Sequence, residues 1–297
     1  MNWCDQALGL ADKPLSRQER EAALSTVKRL PVDALRRAWR EIGACRYSDR
    51  TEGVRVFSSY FDSLGDVDPE RALDFILDCV AREGEDELVA LIGEEKLLAQ
   101  LLQCHGAAAR ERLLAAARIS PRLRWLLGSA YWQLKGAPVA EGVKEALLPL
   151  ADRVAWEAWR AKTERPAPSL ASASLEELAR LWIEANNASP LERCREGLTA
   201  AMFNLCFDLP GSDREKAFDL ALAILNLTDN ANLLSLLATG LLEDLINADD
   251  EATIARVERH AAANPRFRRL IAGVWYRSPN SAIAARLKAA RGDAAPF

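Results

Sequence analysis

Apolar residues recur along this chain at intervals of three and four, the spacing that places side chains on one face of an α-helix. Within residues 215–227, Phe218, Ala221, Leu222 and Leu225 fall on a single stripe, and Ile254, Val257 and Ala261 do the same further on. Alternating runs rich in Val, Ile and Thr, which would mark half-buried strands, are absent. The polar positions agree. Ser16 with Glu19, Ser174 with Glu177, Ser189 with Glu192 and Ser212 with Glu215 fit the capping box, in which the Ser hydroxyl accepts from the amide three residues on and the Glu reaches back. Asp68-Pro69, Ser120-Pro121, Ser189-Pro190 and Asn264-Pro265 set a capping side chain before a proline at the first helical position, where a missing N–H costs nothing. The pattern predicts helices over 16–29, 32–46, 50–63, 69–82, 86–103, 107–118, 121–135 and 139–162. A second series follows over 175–187, 190–207, 213–227, 230–247, 250–263, 265–276 and 281–290, with ends placed to within ~2–4 residues.

The pattern is also written twice. Residues 120–132, SPRLRWLLGSAYW, match residues 264–276, NPRFRRLIAGVWY. Leu35–Trp39 matches Leu178–Trp182, Asp68–Asp74 matches Asp213–Asp219, and Leu97–Leu102 matches Leu241–Ile246, at an offset of 143–145 residues throughout. Unrelated amphipathic helices would share periodicity, but not turns and caps in constant register. The expected fold class is therefore all-α, a tandem duplication of a six- to seven-helix unit in a HEAT-like or bundle-like helical array. The expected organisation is an N-terminal helical extension (1–30), a first repeat domain (31–162), a Pro-, Ala- and Ser-rich linker (163–174), a second repeat domain (175–290) and a tail (291–297). Helix 139–162 is longer than its counterpart 281–290, and its extra length, with Trp156 and Trp159, is expected at the junction.

The second copy carries Gly240-Leu241-Leu242-Glu243-Asp244-Leu245-Ile246, then Pro265-Arg266-Phe267-Arg268 and Trp275. In this it resembles a family of uncharacterised bacterial helical domains with a Gly-x-Leu-Glu-Asp-Leu-Leu segment followed by Pro-x-Phe-Arg. The resemblance covers residues 175–290, implies a helical fold and a bacterial origin, and brings no activity with it.

Composition narrows the function classes. With 297 residues, of which 49% are hydrophobic, the chain can bury a substantial core. A net charge of −4, with Arg interleaved among Glu and Asp, gives no basic footprint, so no nucleic-acid partner is expected. No stretch approaches the ~18 apolar residues of a membrane span, and the N-terminus has no signal-peptide pattern, so a soluble cytoplasmic protein is expected. The six cysteines show neither a CxxC pair nor zinc spacing and read as reduced, mainly buried residues.

Candidate chemistry is sparse. His105 adjoins Cys104, and neighbouring helical residues point ~100° apart, which is wrong for a nucleophile and its base. His260 sits near a helix C-terminus, where a cation is favoured. There is no phosphate-binding glycine motif and no Glu-x-x-His on an apolar face, so no catalytic residues, metal or cofactor are expected. What remains are acid clusters at helix starts, Glu83, Glu85 and Asp86, and Asp249 and Asp250, together with Glu243 and Asp244 inside an apolar stretch. With Trp156 and Trp159, which lack counterparts in the other copy, these form the expected partner-binding set. The expected function is a protein-binding helical protein, an immunity protein that occludes a cognate secreted toxin. The alternatives are a helical scaffold for a host-cell protein, or an enzyme or ligand binder in which Glu243, Asp244, Arg266 and Arg268 converge.

Overall fold

The structure, a computed structural model, describes residues 2–10, 13–46, 49–94, 97–130, 142–163, 172–198, 204–277 and 280–297; the side chains of residues 94, 104–108, 204 and 207 are also outside the described set. The chain is all-α, and among the described residues there is no strand. It divides into two compact units, one formed by Met1–Glu164 with Ser189–Glu196, the other by Arg165–Ala188 with Gly197–Phe297.

The first unit begins with α1 (Trp3–Leu8), α2 (Arg17–Val27), α3 (Val32–Ala44), α4 (Glu52–Val67) and α5 (Pro69–Arg82). It continues through α6 (Asp86–Glu94), α7 (Leu97–Ile119), α8 (Pro121–Ser129), α9 (Val143–Leu147), a 3₁₀ turn at Leu148–Leu150, and α10 (Arg153–Thr163). α11 (Leu175–Asn187) belongs to the second unit, and α12 (Pro190–Arg195) returns to the first. The reason for that return is packing. Leu191 and Cys194 join the first core, Glu192 pairs with Arg46 at 3.1 Å and Arg195 with Glu85 at 2.6 Å. The core itself is built on Trp39, whose ring meets Phe61 and Phe75 edge-on at 5.0 and 5.7 Å. The Trp39 indole N–H donates to Leu88 O at 2.9 Å, so a buried polar atom is satisfied.

The N-terminal helices are part of this unit and not a separate extension. α1 rests on α4 at Gly53, where a Cβ would come within 2.6 Å of the Asp5 backbone nitrogen, and Asp5 Oδ1 accepts from Gly53 N at 2.8 Å. The expected long helix 139–162 is instead α9, a 3₁₀ turn and α10. Pro149 cannot continue the backbone ladder, and Asp152 starts α10 by accepting from Ala155 N at 3.0 Å. Trp156 and Trp159 pack inside this unit against Trp125 of α8, with ring centroids 4.9 and 5.2 Å away. Residues 97–119 form one helix where two were expected; Gly106 lies within it without ending it.

The second unit contains α11, α13 (Leu209–Ser212), α14 (Arg214–Leu227), α15 (Ala231–Leu237), α16 (Glu243–Asn247), α17 (Glu251–Ala263), α18 (Pro265–Ala272) and α19 (Ser281–Arg291). π-helical turns occupy Asn204–Asp208 and Ala238–Leu242. Its core holds Trp182, Phe218 and Phe267, all at most 1% exposed. His260 lies against Phe218 and Phe267, and burial pushes its imidazole below the usual value, with Arg256 and Arg259 acting the same way.

Three arginine arrangements recur at an offset of 144 or 145 residues. Arg112 bridges Glu70 and Asp74, and Arg256 bridges Glu215 and Asp219. Arg122 donates to Glu83 O, and Arg266 to Thr228 O. Arg124 donates to Ala117 O and Arg268 to Ala261 O, at 2.9 and 3.3 Å. The N-caps Asp68 and Asp213 also share an unusual backbone, φ −144°, ψ 76° and φ −148°, ψ 85°. Asp213 displaces Ser212 as the cap of its helix, accepting from Lys216 N at 3.0 Å. The side chains of Cys104 and His105, the residues Lys96 and Tyr131, and most of the 163–174 linker fall outside the described residues.

Candidate interaction surface

The second unit departs from regular helix at the segment that carries its unusual acids. The helix entering at Ala231 widens into the π turn Ala238–Leu242, where Gly240 has φ −120° and ψ −105°, and resumes at Glu243. A π turn inserts a residue into the ladder and re-aims the side chains after it, a device common at functional sites. Here it turns Glu243 inward. Glu243 is 7% exposed and receives two donors from one passing segment, Trp275 N at 3.3 Å and the Arg277 guanidinium at 2.9 Å.

That segment exists because α18 ends early. The helix expected over 265–276 stops at Ala272 with Gly273 at its cap, and Val274–Arg277 has no regular secondary structure. Asn247, closing α16, fixes the segment from the other side: its amide donates to Trp275 O at 3.1 Å, and its Oδ1 accepts from Arg277 N at 2.8 Å. Tyr276 turns its hydroxyl onto Asp249 Oδ1 at 2.8 Å, and Asp249 takes φ 52°, a left-handed backbone uncommon outside glycine. With both peptide groups of Trp275 held, its indole points outward and remains 71% exposed. The backbone at Trp275 is no longer helical, so its side chain leaves the apolar stripe of α18.

Around this strap lie Glu243, Asp244 and Asp249, with the Arg277 guanidinium paired to Glu243. Asp244 reaches solvent, yet partial burial raises its carboxyl above the ordinary value; Glu243 reinforces the rise and Arg277 opposes it. Among the described residues no group of three His, Cys, Asp or Glu side chains could hold a metal ion.

The other expected contact residues are placed differently. Glu83 is 3% exposed and engaged by Arg40 at 2.7 and 2.9 Å and by the Gly84 amide at 2.8 Å. Burial alone would raise its carboxyl, but these donors hold it below the usual range. Glu85 and Asp86 pair with Arg195 and Arg122 at 2.6 Å each, and Asp250 caps α17 through Thr253 N at 2.8 Å. These expected partner-binding acids are therefore engaged within the chain, because each falls within reach of an arginine or a helix start. Trp156 is 5% exposed and offers no surface. The expected convergence of Glu243 and Asp244 with Arg266 and Arg268 is also corrected. Arg266 is tied to Thr228 O and Asp229 and Arg268 to Ala261 O, while the cation on Glu243 is Arg277.

Sequence reading missed Asn247 and Arg277, whose roles depend on an irregular segment with no periodicity to expose them. The model of a family of unknown function (DUF6869) matches residues 200–295, which include the whole strap and its supports. No curated protein and no solved structure matches the chain.

Proposed function

We propose that this chain is a protein-binding protein whose contact surface is centred on Trp275. One observation carries the reading: a large aromatic side chain is held out in solvent on a backbone that Glu243 and Asn247 clamp at both peptide groups. Exposing an indole forgoes burial worth ~2 kcal/mol or more, and Trp and Arg are the side chains most enriched where binding energy concentrates. Rigid presentation reduces the entropy lost on association. The carboxylates around the indole favour a basic partner surface. The form we propose is that of an immunity protein, which binds a cognate secreted toxin and covers its working face. The recurring arginine arrangements support a tandem duplication in which the first copy serves as scaffold, since Ala99 and Gln103 stand where the second copy has Glu243 and Asn247.

The test is co-expression with the products of adjacent genes, followed by affinity measurement on any complex. Trp275→Ala is expected to weaken binding at least ~30-fold, which is ~2 kcal/mol, with unchanged thermal stability. A complex whose affinity is unchanged in both Trp275→Ala and Arg277→Glu would remove this surface from the interface.

A further inference from the structure

A cleft of about 270 Å³ opens in the second unit where α16, α18 and α19 meet behind the strap. Its apolar surface comes from Ile246, Ile271, Val274 and Leu287, all residues of the second core, with Ala284 and Tyr276 beside them. The two remaining lining residues are cations. Lys288 and Arg291 are both exposed, and neither side chain has an ion pair or hydrogen bond among the described residues. Arg286 of the same helix is treated differently, being held by Glu251 and Glu258 at 2.5 and 2.7 Å.

The first unit closes the equivalent place. At an offset of 144 residues, Leu287, Lys288 and Arg291 correspond to Val143, Lys144 and Leu147 of α9. Leu147 is fully buried in the first core, whereas Arg291 stands exposed at the edge of the cleft. An arginine where the other unit has a leucine leaves apolar wall facing water that a leucine would cover. Long cationic side chains often lay their stems over such a wall. Two of them with no acid beside them also concentrate positive charge at one apolar mouth.

We propose that this cleft binds an unbranched aliphatic carboxylate, its chain on Ile246, Ile271 and Leu287 and its carboxylate between Lys288 and Arg291. Size sets the length: an apolar cavity of ~150 Å³ admits benzene, so about 270 Å³ admits a chain of about eight carbons with its head at the mouth. Charge sets the head group, because ammonium and guanidinium donors both favour a carboxylate and both repel an amine. The inference does not rest on the Trp275 surface, and its test leaves Trp275 in place.

The full-length protein is titrated with octanoate, below the concentration at which it forms micelles, by isothermal calorimetry at two temperatures. The expected result is saturable binding of one molecule per chain with a negative heat-capacity change. Lys288→Gln combined with Arg291→Gln keeps the cleft and removes its charge, and is expected to weaken binding at least ~10-fold. Arg291→Leu, which supplies the residue used by the first unit, is expected to abolish it. Both positions are exposed, so both variants are expected to fold. No saturable binding, or several molecules per chain, overturns the proposal. Octylamine or 1-octanol binding as tightly as octanoate removes the carboxylate assignment. Tighter binding of a short peptide ending in Leu-Leu with a free carboxylate gives the cleft to a protein terminus instead. Unchanged affinity in either variant moves the site elsewhere.

Discussion

Glu83 and Glu243 are both buried carboxylates, and each organises a turn. Glu83 gathers Arg40 and two backbone amides where α5 ends, and Glu243 gathers Trp275 N and Arg277. Removing either leaves inward-facing donors without an acceptor, so Glu83→Ala and Glu243→Ala are each expected to cost ~1–3 kcal/mol in urea unfolding. Trp275→Ala is expected to stay within ~0.5 kcal/mol of the parent, because little of the indole is buried. Two acids give opposite responses to pH. Arg46 and the Ser189 amide hold Glu192 down at about 2 from its ordinary 4.5, so the stability it adds is present above 4.5 and is lost as pH falls toward 2. Asp244 is raised, so its ionisation opposes folding; Asp244→Asn is expected to stabilise the protein at pH 7, with the difference vanishing below about pH 3.8. Unfolding midpoints measured across pH 2–7 for Glu192→Gln and Asp244→Asn check both signs. The sequence singled out Glu243 and Asp244, since two acids inside an apolar run must find partners. It could not supply Arg277, whose approach depends on where α18 stops.

At the level of elements, local chemistry fixes starts better than continuity. Ser16, Ser174 and Ser189 form the expected capping boxes, and Asn264-Pro265 opens α18 where its side chain suggests. The helix interiors were harder to read. Residues 230–247 keep an apolar period across the π turn, because a one-residue insertion in the ladder changes facing without changing composition. α1 is short and lacks a full stripe, and only the Asn2 cap and Gly9, at φ 62°, mark its ends. The π turn is what aims Glu243. Deleting exposed Thr239 would draw the segment toward a regular α-helix and rotate α16 by ~100° relative to α15, separating Glu243 from the strap. The expected outcome is a folded protein with the Trp275 and Arg277 amides exposed to fast hydrogen exchange and with binding reduced as far as in Trp275→Ala. Retained protection of both amides would show that the insertion does not set the facing.

At the scale of the whole molecule, the sequence shows two helical halves but assigns α12 to the wrong one. Its cap, proline and Arg content resemble those of any other helix, and only Leu191 and Cys194 entering the first core decide its place. A cut at residue 163 is therefore expected to yield an N-terminal fragment that unfolds at lower urea than the same unit in the intact chain. A peptide spanning 187–197, added in trans, is expected to recover part of the loss; no recovery would mean that α12 contributes little to that core.

The border of the family match carries one more consequence. It begins at residue 200, past α11, yet α11 is the helix that packs most closely on α14 and brings Leu178, Ala179 and Trp182 to the second core. A polypeptide made of the matched stretch alone would present an empty berth the width of one helix, greasy and in want of a lodger. The stretch 200–295 of this chain is therefore expected to need residues 175–187, in the same chain or supplied separately, before its core can close.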